Sequence, residues 1–377
     1  MKSGGDSVAT VVVLGSYAPS LIHFRGSLIR ALVGKGHRVV AMAPTISQEL
    51  GDRLRAIGAE PHDVPLDNQG LNPLAMLRTV RALTRAFTAL RPDAVIAYTV
   101  KPVTLGAAAA ARAGVPRFVS LITGLGYAFS GGKTVTRRLS EAAATLLYRR
   151  ALRRSSAIIF QNPDDRDFFR ARGILPTRPE PVVVGGSGID LEQFSPAPLP
   201  EGLRFLMISR LLGDKGLREY GEAARRLKLK HPQASFALVG YFDNSPDAIS
   251  RDELAAIQSG GVDFLGKMDD VRGAIADCNI YVLPSYREGT PRSVLEAMAM
   301  GRAIVTTDAP GCRQTVDDGF NGFLATPRDT DSLERAMERF IVDPTMIAPM
   351  GAASRRIAEQ RFDVNRVNEQ LLAAADL

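Results

Sequence analysis

Four residues in the second half of the chain could do chemistry together. Arg210 and Lys215 lie five apart, two cations suited to neutralising a diphosphate. Glu288 and Glu296 lie eight apart, a little over two turns if a helix were already running. Carboxylates beside such cations could accept hydrogen bonds from sugar and ribose hydroxyls. Taken alone, each pair also fits a plainer role. Arg210 and Lys215 could be solvated strand-end residues, Glu288 a surface side chain, and Glu296 a cap on a neighbouring loop.

The elements that must position them favour convergence. Arg204 to Ile208 reads as a strand, so Arg210 and Lys215 fall in the loop at its carboxyl end. Asn279 to Leu283 reads as another strand. A short loop carrying Glu288 and Gly289 follows, then a helix whose first turn holds Pro291. The free amides of that helix start would attract an anion. Ligands of open α/β sheets bind at the carboxyl ends of strands, where both loops lie. Glu288 is then expected at the mouth of the site and Glu296 on the inner face of the helix.

Strand and helix patterns alternate along the whole chain. Thr10 to Leu14, Arg38 to Met42, Asp93 to Tyr98 and Arg117 to Ile122 are strand-like. A helix runs through Leu28 and Leu32, another from Leu74 to Leu90 at helical spacing, and an alanine-rich one over 102–113. A second alternation adds Ser235 to Val239, Val262 to Leu265 and Ala303 to Thr307. Such alternation implies βαβ units and parallel sheets. The Gly- and Pro-rich stretch between Gly185 and Pro200 suits a linker. The expected division is a first domain over 1–190, a linker over 191–203 and a second domain over 204–362, with a helix over 363–377 packing back on the first.

At 377 residues the chain is long enough for two domains, and 45% hydrophobic with 23% charged residues is ordinary globular composition. No uncharged apolar run is long enough to cross a membrane, and no secretory leader is expected at the N-terminus. Cys278, Cys312 and four histidines make neither a disulfide framework nor a zinc site of familiar spacing, so no structural metal is expected. Residues 1–198 carry 25 Lys and Arg against 14 Asp and Glu, and the remainder 22 against 26. A basic first half suggests nucleic acid, an anionic membrane or phosphate-bearing ligands.

Two phosphate-loop readings fail. Gly126 sits one residue too early, relative to Lys133 and Thr134, for a Walker loop. Gly124 and Gly126 are followed by Phe129 where a dinucleotide fingerprint needs glycine, and no such fingerprint follows the first strand at Gly15.

The set Ser209-Arg210, Lys215-Gly216, Phe264 to Gly266, Glu288 to Glu296 and Asp318 to Gly322 resembles the retaining glycosyltransferase family 4, over essentially the whole chain. Arg25 to Leu32 with Gly36-His37 is similar to the family's opening βα unit. Tyr98 to Pro102 and Thr123 to Phe129 look like bacterial members that extend polyprenyl-diphosphate-linked glycans, including N-acetylgalactosaminyltransferases and capsule or O-antigen enzymes. The resemblance implies a GT-B fold, α/β, with two Rossmann-like parallel-sheet domains facing a cleft. It implies that Arg210 and Lys215 hold the donor diphosphate and that Glu288 contacts the donor sugar. Gly289 and Thr290 would lie nearby, Glu296 would bind the ribose, and Gly266, Lys267 and Met268 would sit beside the base. The sugar would be transferred with retention and with neither a cofactor nor a metal, Arg and Lys supplying the charge. On the acceptor side the candidates are His23, Arg25, Lys101, Thr123 and Gly124. Two features depart from the pattern. The loop after the first strand, Tyr17 to Arg25, lacks the Gly-Gly pair of many relatives, and Thr123 stands where many have a histidine.

Between Lys133 and Arg154 seven basic residues (Lys133, Arg137, Arg138, Arg149, Arg150, Arg153 and Arg154) face one acid, Glu141. Leu139, Ala142, Ala143, Leu146, Leu147 and Ala151 recur at helical spacing. The helix over 134–154 reads either as an anionic-membrane surface or as an ordinary helix packed on its own core with a solvated basic face. No recognition motif accompanies the charge, so nucleic acid is not expected as a partner. The expected function is glycosyl transfer from a nucleotide diphosphate sugar, such as a UDP-sugar, to a lipid-linked glycan in polysaccharide biosynthesis, by a cytoplasmic protein peripheral to the inner face of the membrane. The competing functions are a nucleotide-sugar epimerase, a soluble-acceptor transferase and a non-catalytic sugar-nucleotide-binding module.

Overall fold

A computed structural model describes residues 8–66, 72–126, 129, 135–243, 245 and 247–377, with the backbone alone described over 135–139. The chain divides into two compact units, Met1–Ser187 with Asn365–Leu377, and Gly188–Val364.

The first unit is a parallel sheet of β1 (Thr10–Leu14), β2 (Arg38–Ala43), β3 (Ala59–Asp63), β4 (Ala94–Tyr98), β5 (Arg117–Ile122), β6 (Ala157–Phe160) and β7 (Val182–Val183). Their order is β3-β2-β1-β4-β5-β6-β7. Side chains alternate between faces, as the pleat requires. Val11 and Val13 join a core with Leu28 and Leu32 of α2 (Gly26–Gly34) and Leu54 of α3 (Gln48–Ala56). Val12 and Leu14 join the opposite core, with Leu83 of α4 (Pro73–Leu90), Val103 of α5 (Val100–Ala113), Tyr148 of α6 (Val135–Leu152) and Phe169 of α7 (Pro163–Ala171). Both faces are covered, so β1, β4 and β5 can be nearly continuous apolar runs. The final helix, Val364–Ala375, places Val367, Leu371 and Leu372 in the same core as α2 and α3.

The second unit is also parallel: β8 (Leu203–Arg210), β9 (Ala234–Tyr241), β10 (Val262–Phe264), β11 (Ile280–Leu283), β12 (Ala303–Thr307) and β13 (Gly322–Ala325), in the order β10-β9-β8-β11-β12-β13. This is the Rossmann order, in which the succession reverses between β8 and β11. Helices α8 (Leu217–Lys230), α9 (Arg251–Ser259), α10 (Arg272–Ala276), α11 (Arg292–Ala299), α12 (Thr330–Val342) and α13 (Ile347–Ile357) supply Tyr220, Leu254, Ile275, Leu295, Phe340 and Ile357 to its core.

Two expectations need correction. Residues 191–203 are no free linker. Phe194 is buried in the second unit's core, the Ala197 amide donates to Met300, and Arg302 and Asn279 donate to the carbonyls of Pro198 and Pro200. Proline removes its own amide but leaves a carbonyl to accept, so a proline-rich segment can be pinned by side-chain donors. Helix α6 buries a different stripe from the one its leucines suggest. Ala144, Tyr148, Ala151 and Leu152 face the core, while Ala142 is exposed and Leu146 remains 48% exposed. Tyr148 packs edge-on to Phe169 at 4.9 Å between ring centroids, so the aromatic rather than Leu146 chooses the inner face. Leu139 lies outside the residues whose side chains are described, and Gly126 to Thr134 falls mostly outside the described residues altogether.

Candidate functional site

β8 runs two residues further than expected and ends on Arg210 itself, and a 3-10 turn, Gly213–Lys215, follows before α8 begins. Gly216 makes the turn possible, with φ +73°. A Cβ there would come within 2.1 Å of the Pro284 carbonyl on the loop after β11. The two loops flanking the point where the strand order reverses are therefore in backbone contact. That approach also lets Tyr286 donate its amide to the Asp214 carbonyl at 2.9 Å. The Glu288 amide donates to Pro310, and a Cβ on Gly311 (φ +80°) would lie 2.1 Å from the Glu288 carbonyl.

This framework brings Lys215 and Glu288 together. Lys215 Nζ is 2.6 Å from Glu288 Oε1, with the side chains 14% and 18% exposed. Burial pushes the Lys215 ammonium down, and the charge and hydrogen bond of Glu288 outweigh it, so the net direction is up. Lys215 is therefore a firmly charged cation held by a single carboxylate. Arg210 is more exposed and donates to Asp243 Oδ2 at 2.9 Å. Both expected phosphate cations thus stand paired with carboxylates that orient them.

Pro291 occupies the cap before α11 rather than its first turn, with φ −73° and ψ 107°. Glu296 is buried on the inner face and bonded by Arg292 Nε at 3.0 Å, one turn earlier. Burial raises its carboxyl above the ordinary value, and Arg292 offsets part of that. Gly289 and Thr290 are half-buried in the loop before α11, where Thr290 Oγ1 donates to the Gly289 carbonyl. After β10, Gly266 has φ +75° and accepts from the Gly240 amide, while Lys267 is exposed beside Asp269 and Met268 packs on the core. Asn321 is wholly buried, its amide group donating to Thr315 and Ser354, so that motif residue holds a turn together. Both cysteines are free and buried, and burial pushes each thiol up to about 12, which leaves no reactive thiolate.

In the first unit the acceptor-side candidates gather at the carboxyl ends of β1, β4 and β5. His23 ends the short helix α1 (Ser20–His23) and is exposed. Arg25 is 3% exposed, donates to Ser187 Oγ and lies over the Tyr98 ring at 4.9 Å. Its role is to fasten the loop after β1. Lys101 is half-buried in the first turn of α5, and Thr123 and Gly124 follow β5, also half-buried. The pair Ser16 and Thr99 carries no motif, yet their hydroxyls meet at 2.8 Å where this sheet's order reverses. Thr99 holds φ +69°, a strained value for a branched residue at a strand–helix turn. Among the described residues, no cluster of His, Cys, Asp and Glu is arranged to hold a metal ion, and no helix is long and apolar enough to cross a membrane.

Each unit is thus a Rossmann-like parallel sheet with polar residues gathered where its strand order reverses, the architecture of GT-B glycosyltransferases. Residues 24–185 match the glycosyl transferase 4-like domain and residues 202–343 match glycosyl transferases group 1. The chain is 30% identical over 373 residues to the N,N'-diacetylbacillosaminyl-diphospho-undecaprenol alpha-1,3-N-acetylgalactosaminyltransferase of Campylobacter jejuni, covering 95% of this chain and 96% of that one. It is 26% identical over 290 residues to the Escherichia coli UDP-Gal:alpha-D-GlcNAc-diphosphoundecaprenol alpha-1,3-galactosyltransferase, covering 72% and 73%. Among solved structures, Anabaena HepE in complex with UDP superposes with a TM-score of 0.79 at 20% identity, over 97% of this chain and 99% of that one. The chain belongs to the group 1, family 4-like glycosyltransferases and is a glycosyltransferase.

Proposed function

We propose that this enzyme moves an N-acetylhexosamine or hexose from a UDP-sugar, with retention at the anomeric carbon, to a sugar hydroxyl of a polyprenyl-diphosphate-linked glycan. The Lys215–Glu288 pair carries the reading, because it sets a charged, half-enclosed cation beside a carboxylate at the strand ends where the order reverses. End-to-end similarity to a transferase named for an undecaprenyl-diphosphate acceptor supports the acceptor class.

In this reading Lys215 and Arg210 bind the donor diphosphate and stabilise the charge that develops on it as the glycosidic bond breaks. Glu288 accepts from a donor-sugar hydroxyl, with Gly289 and Thr290 beside it. Glu296, oriented by Arg292, accepts from the ribose hydroxyls, and Gly266 to Met268 flank the base. The two cations supply the positive charge that a divalent ion gives in other transferases, so turnover should persist in a chelator. On the first unit, Lys101, Thr123, Gly124, His23 and the Ser16–Thr99 pair line the approach for the acceptor. The test is transfer from a panel of UDP- and GDP-sugars to a synthetic polyprenyl-diphosphate glycan, with the product anomer read by NMR. An α-linked product from an α-linked donor is expected. Conversion of the donor into an epimeric nucleotide sugar without acceptor would identify an epimerase, and binding without transfer or hydrolysis an inert module.

The same reading places the enzyme on the cytoplasmic face of an anionic membrane. Helices α4, α5 and α6 contain nine basic residues and one acid, while α1, α2, α3 and the final helix on the other side of the sheet contain four against three. Arg149 is not part of that surface charge, because it donates to the carbonyls of Arg172 and Gly173 and caps α7. Changing Arg150, Arg153 and Arg154 to Gln should release the protein from anionic vesicles at about 1 kcal/mol per residue. Equal pelleting of variant and wild type would remove the membrane from the proposal.

A further inference from the structure

Between α4, α5 and α6 runs a groove of about 370 Å³, within the ~300–1,000 Å³ typical of small-ligand sites. Leu77, Leu105, Ala108 and Leu147 give it an apolar floor. Arg112, Arg150 and Arg154 stand on its wall, and among the described residues no acid lines it. Arg112 spends one N–H on the Ala108 carbonyl at 3.1 Å, and its guanidinium has four others. Of the lining residues Leu77 is 40% exposed, and outside the lining Leu74 of α4 and Leu146 of α6 are also exposed apolar residues, at 67% and 48%.

Three guanidinium groups beside an apolar trough ask for two things from one occupant. An apolar ligand alone would leave the arginines without an anion, and an inorganic anion alone would leave the trough wet. A molecule with one acyl chain in the trough and a phosphate among the guanidinium groups satisfies both. We infer that this groove is a binding site for one anionic phospholipid, its chain along Leu77, Leu105, Ala108 and Leu147 and its phosphate held by Arg112, Arg150 and Arg154. The inference rests on the proposed membrane docking and makes it a specific lipid contact rather than diffuse charge attraction. The site belongs to the first unit, on the side of the sheet away from α2 and α3, so it is separate from the residues proposed to bind donor.

Ala108→Trp fills the trough without changing charge, and Leu77→Glu sets a carboxylate on a half-exposed wall where folding is not at risk. Each is compared with wild type for binding of dihexanoyl-phosphatidylglycerol, followed by NMR titration, and for pelleting with phosphatidylglycerol vesicles. Both variants should bind the short lipid at least tenfold more weakly and pellet less, while donor hydrolysis stays at the wild-type rate. Dihexanoyl-phosphatidylcholine and inorganic phosphate should bind wild type at least tenfold more weakly than the phosphatidylglycerol probe. Unchanged lipid binding by Ala108→Trp and Leu77→Glu overturns the groove. If those two pellet normally while the Arg150, Arg153 and Arg154 variant does not, docking is diffuse and only the groove falls. Preference for farnesyl diphosphate over phosphatidylglycerol would also overturn the inference, assigning the trough to the carrier lipid.

Discussion

Lys215→Ala separates a donor-site role for the Lys215–Glu288 pair from a structural one. Two losses are expected. The first is structural: the substitution leaves the Glu288 carboxylate 18% exposed beside a vanished cation. Breaking a fully buried pair costs about 3–5 kcal/mol, and at this exposure about 1–3 kcal/mol is expected. The second is catalytic: a charge-assisted contact to the leaving diphosphate is worth roughly 2–4 kcal/mol in the transition state, or some 30- to 1,000-fold in rate. The two are separated by Glu288→Gln and the double variant Lys215→Ala/Glu288→Gln. In the double variant no buried charge is left alone, so stability in urea should recover most of the single variant's loss. The rate, measured on folded protein at saturating acceptor, should not recover. Recovery of both together would mean that the pair is only a brace between two loops, and the donor-site assignment would fall.

The Glu296 carboxyl is raised by burial and only partly offset by Arg292, so the folded state binds its proton more tightly than the unfolded chain does near 4.5. Its contribution to stability is present below that value and lost as pH rises through the folded value. Glu296→Gln should therefore gain stability relative to wild type between pH 4 and 8 in denaturant titrations, while UDP binding by calorimetry weakens by about tenfold or more. Lys215 behaves in the same direction at the other end of the scale. Held above its ordinary 10.5, it keeps its stabilising charge below that pH and loses it as pH rises through the higher folded value, so Lys215→Ala should narrow its stability gap to wild type only in strong alkali. Gly311→Ala would drive a methyl onto the Glu288 carbonyl from a left-handed backbone, and should cost about 1–3 kcal/mol and most of the activity, read by thermal melting and transfer assays.

Several strands that could be read in advance are apolar runs buried on both faces, though β6, Ala157–Phe160, is equally buried and too short to stand out. Thr10–Leu14 and Arg117–Ile122 are apolar runs because helices cover both sides of them. β3 could not be read: Ala59–Asp63 contains a proline, a histidine and two acids, and it is the edge of its sheet, where polar residues are tolerated. β7 and β13 are two and four residues long, too short to show a period, and neighbouring strands complete them. Spacing on α6 misled in a different way, because alanine and leucine counted as equals there while one buried tyrosine decided the face.

The residues proposed to bind the donor divide along the same line. Arg210, Lys215, Glu288 and Glu296 carry charge, and charged residues placed after apolar strands show themselves in any reading of a chain. What brings Lys215 and Glu288 together is carried by residues without chemistry of their own. Gly216 and Gly311 admit backbone where no side chain fits: the Pro284 carbonyl fills the space at the first and the Glu288 carbonyl at the second, while the Pro310 carbonyl accepts from the Glu288 amide. The distance between Lys215 and Glu288 is set there, since each loop is fixed by backbone contacts before its side chain is placed. A charge on a long side chain can reach many partners; two loops locked carbonyl to glycine leave it one. The same logic explains Arg25, which a motif marks as a candidate for the acceptor but which burial and the Tyr98 ring turn into a fastener. Type and spacing identify what a residue could do, and the close approaches of backbone determine which of those possibilities the fold retains.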